Sequence, residues 1–518
     1  MNSLKGVELV FWDRRSVRLL LIVFAIAVLS KGEVLSRGFA VDDYVFAQGL
    51  KQSDFNFLLT QGRFLLGGFA RLIDSLGANL SDLYFSFGFL ALLLQSALVV
   101  AILRFVGVVN SPAAVLAGPL MVAHPYLAEI LTFRMVLPGY CIAAALSILA
   151  FEMAADCRSD ARRYLTSFLA VSGMLLIYQG FLNYLAAAIA FCFLFGAFER
   201  ARIGRNAASA AEHYRRAFAL SVICVASAAF FLLAIYILKR LGVMEPTGRA
   251  NFIGWKEVPL RLELIGELLA RVYWKGEPIF PRWLKAIALL GIFASGICAL
   301  YVFSKSVISR QDGFKSALAL LLSILLLIPV TVGVIAPFKE WWPVPRVLPQ
   351  VPVIYGLLLV FLYPRVIEIA KIVGSNLSTK AFFVVAVVLV ASFVVINNQI
   401  FADQKRLNAW DGFEANRVVA RIERLTGFKS DSQPIYVGGG SWRHSATLNT
   451  IQGDMNISAF APENSKVPLL IEVSGYNFKS ASGDEIVAGR EHCARARAWP
   501  HEESISAING LVVVCLPQ

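Results

Sequence analysis

Charged residues are scarce in this chain. Only 16% of its 518 residues are Asp, Glu, Lys or Arg, whereas 58% are hydrophobic, and the mean hydropathy is +0.66. Soluble globular domains carry about 25% charged residues, so this composition excludes an ordinary soluble protein. It predicts an integral membrane protein.

Histidine and cysteine are also sparse. The five histidines are scattered without paired spacing, which argues against a zinc site. Five of the seven cysteines lie in or beside apolar segments and are expected to pack as small hydrophobic residues. The other two, Cys493 and Cys515, are alone in the C-terminal tail. They are expected to form a disulfide if the tail lies in an oxidising compartment and to stay free in the cytosol.

Long apolar runs fill most of the chain. Crossing about 30 Å of hydrocarbon takes roughly 20 apolar residues. The runs are continuous rather than alternating, which predicts helices and not a barrel. We expect an all-α polytopic protein with about eleven transmembrane helices, near residues 17–36, 83–103, 108–127, 136–155, 164–180, 181–198, 216–238, 284–304, 316–337, 351–370 and 380–400.

Basic residues alternate between successive loops. Arg14 and Arg15 precede the first helix, Arg162 and Arg163 follow the fourth, and further basic loops continue the pattern. The positive-inside bias therefore places the N-terminus in the cytoplasm and the tail outside. The first segment shows no cleavage site and is expected to remain as an anchor. These inner loops and a basic outer loop explain the net charge of +13, so nucleic acid is not an expected partner.

The tail reads differently from the membrane region. Residues 1–400 are expected to form the transmembrane part, and residues 401–518 a helix followed by a small α/β domain on the outer face. Helical spacing runs from Asn397 to Leu425. Three short strands are predicted after it, at residues 434–440, 468–473 and 510–515.

The candidate chemistry lies in the outer loops. Asp42 and Asp43 follow the first span directly; such a pair suits a general base or a metal ligand, and equally a helix cap. Cations beside aromatic residues suit a phosphate at the membrane surface. An ordinary aromatic belt or a snorkelling arginine would give the same pattern. These companions occur at other outer helix ends: Glu129, Arg134, Lys339, Glu340, Trp341, Trp342 and Arg346.

An ordered set of short motifs carries a family resemblance. Asp42-Asp43-Tyr44 is followed by Gln61-Gly62-Arg63-Phe64, then by 125–129 with Phe133-Arg134, by 177–180, and by 345–348. Asn398-Gln399 then enters a helix beyond the last span. This set resembles the type II Gtr glucosyltransferases, integral-membrane enzymes of the GT-C superfamily that modify bacterial O-antigen. The resemblance covers the membrane region. The tail from about residue 430 carries no motif of the family.

The resemblance implies a GT-C-like fold and a sugar-transfer reaction on the periplasmic face of the bacterial inner membrane. The donor would be a polyprenyl-phosphate sugar, with glucose expected, and the acceptor a hydroxyl of a lipid-linked or surface glycan such as O-antigen. Membrane lipids are expected partners, and no metal or other cofactor is expected. Asp42 or Asp43 would be the catalytic base, with Asp42 preferred. The implied phosphate ligands are Arg346, Arg134, Lys339 and Arg63, and the substrate contacts are Tyr44, Glu129, Gln179, Glu340, Trp341 and Trp342.

Two other classes of protein fit a polytopic basic chain. A transporter or flippase of lipid-linked saccharide would place charges within the helices near the midplane and show broken helices in related halves. Here the predicted spans are nearly free of charge, and the ionisable groups lie in loops. A structural or assembly subunit would not depend on any single acidic residue.

Overall fold

The computed structural model describes residues 12–155, 160–203, 208–244, 251–275, 277, 283–286, 289, 304, 313–373, 377–429, 433–440 and 457–517. Helices dominate these ranges. In chain order, the first nine are α1 (Arg14–Lys31), α2 (Val41–Phe46), α3 (Gln52–Thr60), α4 (Phe64–Ser75), α5 (Tyr84–Phe105), α6 (Ala114–Ala123), α7 (Tyr126–Thr132), α8 (Leu137–Ala155) and α9 (Ala161–Leu175). The others are α10 (Leu182–Ile203), α11 (Ala208–Arg240), α12 (Val258–Leu269), α13 (Gly313–Val332), α14 (Gln350–Val373), α15 (Leu377–Ile422), α16 (Glu463–Ser474) and α17 (Asp484–Cys493).

Seven helical segments in the described ranges are long and apolar enough to cross a membrane, or eight if the bent pair α6 and α7 counts as one span. The chain is therefore a membrane protein. The sequence predicted about eleven spans, and the described ranges do not reach that count. α1 carries four basic residues in 18 positions, and α9 has only 15 residues. The segment predicted at 284–304 lies mostly outside the described residues.

The bend between α6 and α7 separates the two helices by 46°. Pro125 stands at the break and has no backbone N–H to continue the hydrogen bonds of α6. α7 therefore starts in a new direction, and its seven residues are all buried. The chain then passes through a short 3-10 turn at Arg134–Val136 into α8.

Residues beyond α15 form a four-stranded sheet with two helices, which we call the C-terminal unit (residues 433–440 and 457–517). Its strands are β1 (Pro434–Gly438), β2 (Lys479–Ser480), β3 (Ile505–Ile508) and β4 (Leu511–Cys515), in the spatial order β2-β1-β4-β3. β1 is parallel to β2 and β4, and β3 is antiparallel to β4. The end of α15 packs into its core, where Val418 and Ile422 belong to the same hydrophobic cluster as residues of β1 and β4.

Two of the three predicted strands are confirmed, and the third is wrong. β1 and β4 form at the predicted positions. Residues 468–473 were expected to be a strand, but they lie within helix α16. The structure joins Cys493, the last residue of α17, to Cys515, the last residue of β4, in a disulfide bond.

Candidate active site

Asp43 is completely buried and accepts backbone hydrogen bonds from two parts of the chain. Its Oδ2 accepts from the N–H of Ala40 at 2.8 Å and from that of Arg134 at 3.1 Å. Its Oδ1 accepts from the N–H of Met135 at 2.9 Å. The carboxylate therefore caps α2 and also the short turn that leads into α8. Burial raises the pKa of the Asp43 carboxyl to about 7, against the opposing effect of these hydrogen bonds.

Asp42 lies beside Asp43 but is partly exposed. An extended backbone would point the side chains of residues 42 and 43 in opposite directions. Both residues instead lie in the first turn of helix α2. Successive helical positions are still rotated by about 100°, so the two carboxylates face different surroundings. The helix-cap alternative applies to Asp43.

Arg134 is committed to the protein interior. Its side chain is 2% exposed and donates to the backbone carbonyls of Leu131 and Ser36. Its guanidinium also lies 6.0 Å from the ring centre of Phe401. Because the guanidinium binds these backbone carbonyls, the structure gives Arg134 a structural role, and we do not propose it as a phosphate ligand.

Arg346 and Glu129 form a buried ion pair between the turn Pro345–Val347 and helix α7. The Arg346 Nη1 lies 3.1 Å from Oε1 of Glu129, whose side chain is fully buried. The backbone N–H of Arg346 donates to the other carboxylate oxygen at 2.7 Å. The guanidinium also lies 4.8 Å from the ring centre of Phe133. Glu129 thus fixes both the backbone and the side chain of Arg346, while 15% of the arginine side chain remains exposed.

The motif Gln61-Gly62-Arg63 lies against Tyr178 and Gln179. The side-chain amide of Gln179 donates to the carbonyls of Gln61 at 3.2 Å and Gly62 at 3.3 Å. Gly62 has φ +73°, a conformation that favours glycine. The Arg63 guanidinium then lies 5.1 Å from the Tyr178 ring centre. The Tyr178 hydroxyl donates to the Arg346 carbonyl at 3.4 Å, so two predicted phosphate ligands share one tyrosine.

A cavity opens beside Arg346, lined by Tyr126, Leu127, Ile130, Tyr140, Tyr178, Phe181, Tyr184 and Pro349 in addition to the arginine. A second hollow adjoins it through four shared lining residues, Ile130, Tyr140, Tyr178 and Phe181. The lining is therefore largely aromatic and aliphatic, with one cation at its edge. The hollow is narrow, with about 250 Å³ of empty space, so it gives an apolar wall with one cation and not a formed ligand pocket.

The predicted residues at 339–342 lie on a second loop that leads into Arg346. This loop pairs with residues 251–253, where Phe338 stacks on Phe252 with ring centres 5.6 Å apart. Arg261 donates to the Lys339 carbonyl at 2.9 Å and lies over the Trp341 ring at 4.7 Å. The Lys339 side chain is exposed. Trp342 is exposed as well, and Glu340 is partly exposed.

Tyr44 lies apart from this cavity. It is 4% exposed, stacks on Phe39 with ring centres 4.7 Å apart, and belongs to the hydrophobic core of the C-terminal unit. Its predicted substrate contact stays untested, and the geometry gives it a packing role.

Residues 34–363, more than half of the chain, match the family described as Glucosyl transferase GtrII. The chain belongs to this family. Neither a curated protein nor a solved structure matches it. Membership makes the protein a membrane glucosyltransferase, and every predicted catalytic, phosphate-binding and substrate-binding residue falls inside the matched range.

Tyr140, Tyr184 and Asn183 were not predicted from the sequence, whereas Tyr126 belongs to the motif at 125–129. Tyr126, Tyr140 and Tyr184 line the cavity. Asn183 binds two backbone positions near it, accepting from the Val334 N–H and donating to the Val347 carbonyl. Their position in the sequence could have indicated them. They lie at or near the starts of α7, α8 and α10, at the same end of the helical bundle as Glu129.

Among the residues that the structure describes, no group of three or more His, Cys, Asp and Glu side chains could hold a metal ion.

Proposed function

We propose that this GtrII enzyme transfers glucose from a polyprenyl-phosphate donor to a hydroxyl of a surface glycan such as O-antigen. The reaction takes place at the periplasmic face of the bacterial inner membrane. The observation that carries the proposal is Arg346, held by Glu129 at the edge of an aromatic-lined cavity. A fixed cation beside an apolar cavity suits a lipid phosphate, since guanidinium binds phosphate oxygens in a fork.

The acidic pair is connected to this cation through a short stretch of chain. Asp43 binds the backbone of Arg134 and Met135, and Glu129 lies one turn earlier on α7. The carboxylates of α2 and the guanidinium of Arg346 are thus set by the same helix junction. We assign the base to Asp42, because it is the partly exposed member of the pair, whereas Asp43 is enclosed by backbone donors.

These residues account for the proton and the leaving group of the transfer reaction. The acceptor hydroxyl oxygen attacks the anomeric carbon, its proton passes to the Asp42 carboxylate, and the bond between that carbon and the phosphate oxygen breaks. The bonding electrons stay on the departing lipid phosphate, whose charge Arg346 stabilises, with Arg63 and Lys339 in support. Gln179 acts by holding the Gln61–Gly62 backbone. Glu340, Trp341 and Trp342 are the proposed contacts to the sugar or lipid.

No metal enters this proposal. A phosphate already attached to a lipid is a complete leaving group, so no nucleotide-bridging cation is required. Excess chelator is therefore expected to leave turnover unchanged.

Purified enzyme in proteoliposomes, supplied with polyprenyl-phosphate glucose and a lipid-linked glycan, tests the assignment. Asp42→Asn keeps the size and hydrogen bonding of the side chain but removes the base, so kcat should fall by about 10²- to 10⁴-fold with unchanged protein yield. Arg346→Lys keeps a cation opposite Glu129 but removes the fork, so the donor KM should rise. If Asp42→Asn turns over at the wild-type rate, another carboxylate is the base.

A further inference from the structure

The acidic helix α2 is attached on one side to the C-terminal part of the chain. Asn408 of α15 makes two reciprocal hydrogen bonds with Phe39, three residues before Asp42. The Phe39 N–H donates to Oδ1 of Asn408 at 2.9 Å, and Nδ2 of Asn408 donates to the Phe39 carbonyl at 2.9 Å. The Asn408 side chain therefore binds both backbone groups of Phe39, in the segment that leads into α2.

The same side of α2 packs into the C-terminal unit. Tyr44 and Phe39 join a hydrophobic core that includes Leu469 and Leu470 of α16. Arg37 forms an ion pair with Glu472 of α16, with Nη2 and Oε1 2.6 Å apart. Burial raises the pKa of the Glu472 carboxyl, with the opposing charge of Arg37 lowering it. Apolar packing and an ion pair thus join two segments more than 400 positions apart in the chain.

The opposite side of α2 is fixed by the membrane helices through Asp43, which accepts from the backbone at Arg134 and Met135. A six-residue helix is too short to be stable alone, so its position depends on what holds it. Here the holding groups come from two sources, the junction of α7 with α8 and the C-terminal part.

We propose that α15 and the C-terminal unit position the acidic helix for sugar transfer, with Asn408 as the main positioning residue. This inference rests on the proposed function, because it assigns a support to the Asp42 carboxylate. It adds a role for residues 401–518, which lie outside the range that matches the family. The unit is then a structural part of the active face and not an appended module.

A displacement of about 1 Å at a catalytic group costs up to about 100-fold in rate. Asn408 bonds to Phe39, whereas Arg346 is held by Glu129, so loss of the Asn408 bonds should leave that ion pair in place. The expected result is therefore a fall in kcat with an unchanged donor KM. A role limited to overall stability would lower the amount of folded enzyme and leave the kcat of the folded fraction unchanged.

The experiment compares Asn408→Ala with Asn416→Ala in the full-length enzyme. Asn416 lies on the same helix, is exposed, and its side chain donates only within α15, to the Gly412 carbonyl at 3.0 Å. Asn408→Ala should lower kcat by about 10- to 100-fold and speed backbone hydrogen exchange in residues 39–46. Asn416→Ala should change neither quantity.

Unchanged exchange in residues 39–46 after Asn408→Ala overturns the proposal, and so does faster exchange with full kcat. If the variant does not accumulate, Arg37→Gln replaces it, because Arg37 is mostly exposed and its loss removes the ion pair to Glu472 and the contact of its guanidinium with the Phe39 ring, 5.2 Å from the ring centre. Arg37→Gln should then give the same two effects at smaller size, and their absence overturns the proposal. Failure of the proposed function is seen separately, as full activity in Asp42→Asn.

Discussion

Two neighbouring aspartates in this protein have different environments, and the difference comes from backbone groups. Asp43 is enclosed with three N–H donors, from Ala40, Arg134 and Met135. Asp42 is the partly exposed neighbour. A doubled acidic motif therefore separates into one buried carboxylate that binds backbone and one that is partly exposed. Identical residue types at adjacent positions give no indication in the sequence of which is which.

The burial of Asp43 predicts a pH dependence of stability. Its pKa is about 7 in the folded protein and about 3.9 in an unfolded chain. Between about pH 4 and 7 the folded state keeps a proton that the unfolded state releases, so this carboxyl contributes less stability as pH rises through that window.

Thermal unfolding of wild type and Asp43→Asn in detergent, from pH 4.5 to 8, measures this effect. The asparagine presents an NH₂ group to backbone donors, so the variant should be less stable throughout. The gap in Tm should be largest near the acidic end and shrink toward pH 8. A gap that widens with pH contradicts the assignment.

At the scale of elements, the sequence predicted the helices with a long hydrophobic pattern and the strands that lie between glycine-rich turns. The helix continuing from Asn397 appears in α15, which runs unbroken to Ile422. β1 and β4 were recognised because short branched apolar runs lie between glycine-rich turns. Arg346 and Glu129 were both candidates, but their pairing across 217 positions depends on tertiary packing that no local pattern records.

The error at α16 has a physical cause. Leu469, Leu470 and their neighbours form an apolar run too short to distinguish a strand from a buried helix by periodicity. Pro468 within the run argued against a helix, and the helix nonetheless contains it. The better signal was at the ends, since Glu463 lies in the first turn and Gly475 closes the helix at φ +72°.

The link between α17 and β4 gives a prediction at the same scale. Cys493 and Cys515 are 22 positions apart, and closing a loop of that size stabilises a fold by about 3 kcal/mol in the chain-entropy description. The double variant Cys493→Ser/Cys515→Ser should lower the unfolding free energy of the C-terminal unit by this order, measured by pulse proteolysis in urea. Reductant should bring wild type to the same level and leave the variant unchanged. Alkylation of both thiols in unreduced purified protein contradicts the disulfide.

At the scale of the whole molecule, contacts of charged residues occur at two ends of the helical region. Arg346, Glu129, Asp43 and the C-terminal unit meet at one end. At the other, Arg104 pairs with Glu152 at 3.0 Å and with Asp13 at 3.5 Å. The difference between the predicted eleven spans and the seven or eight of the described residues arises at α1, α9 and residues 284–304, and at the bend between α6 and α7. Hydropathy alone does not register a proline break or a short helix.

The topology of the chain decides in which compartment Asp42 and Arg346 lie, and it can be measured directly. Basic residues collect at Arg14–Arg15 and Arg162–Arg163, so the positive-inside bias predicts that these ends lie in the cytoplasm and the acidic helix outside. A phosphatase reporter that works only in the periplasm should be active when fused after Lys429 and inactive when fused after Asp160. Both positions are exposed, and each follows a helix that contains a candidate membrane span, α15 before Lys429 and α8 before Asp160. The two fusions therefore differ in the side of the membrane that is predicted for them. Activity at Asp160 and silence at Lys429 would put Asp42, Arg346 and the disulfide in the cytoplasm. That outcome would remove the donor, acceptor and compartment of the proposal together, because a surface glycan cannot reach a site on the inner face.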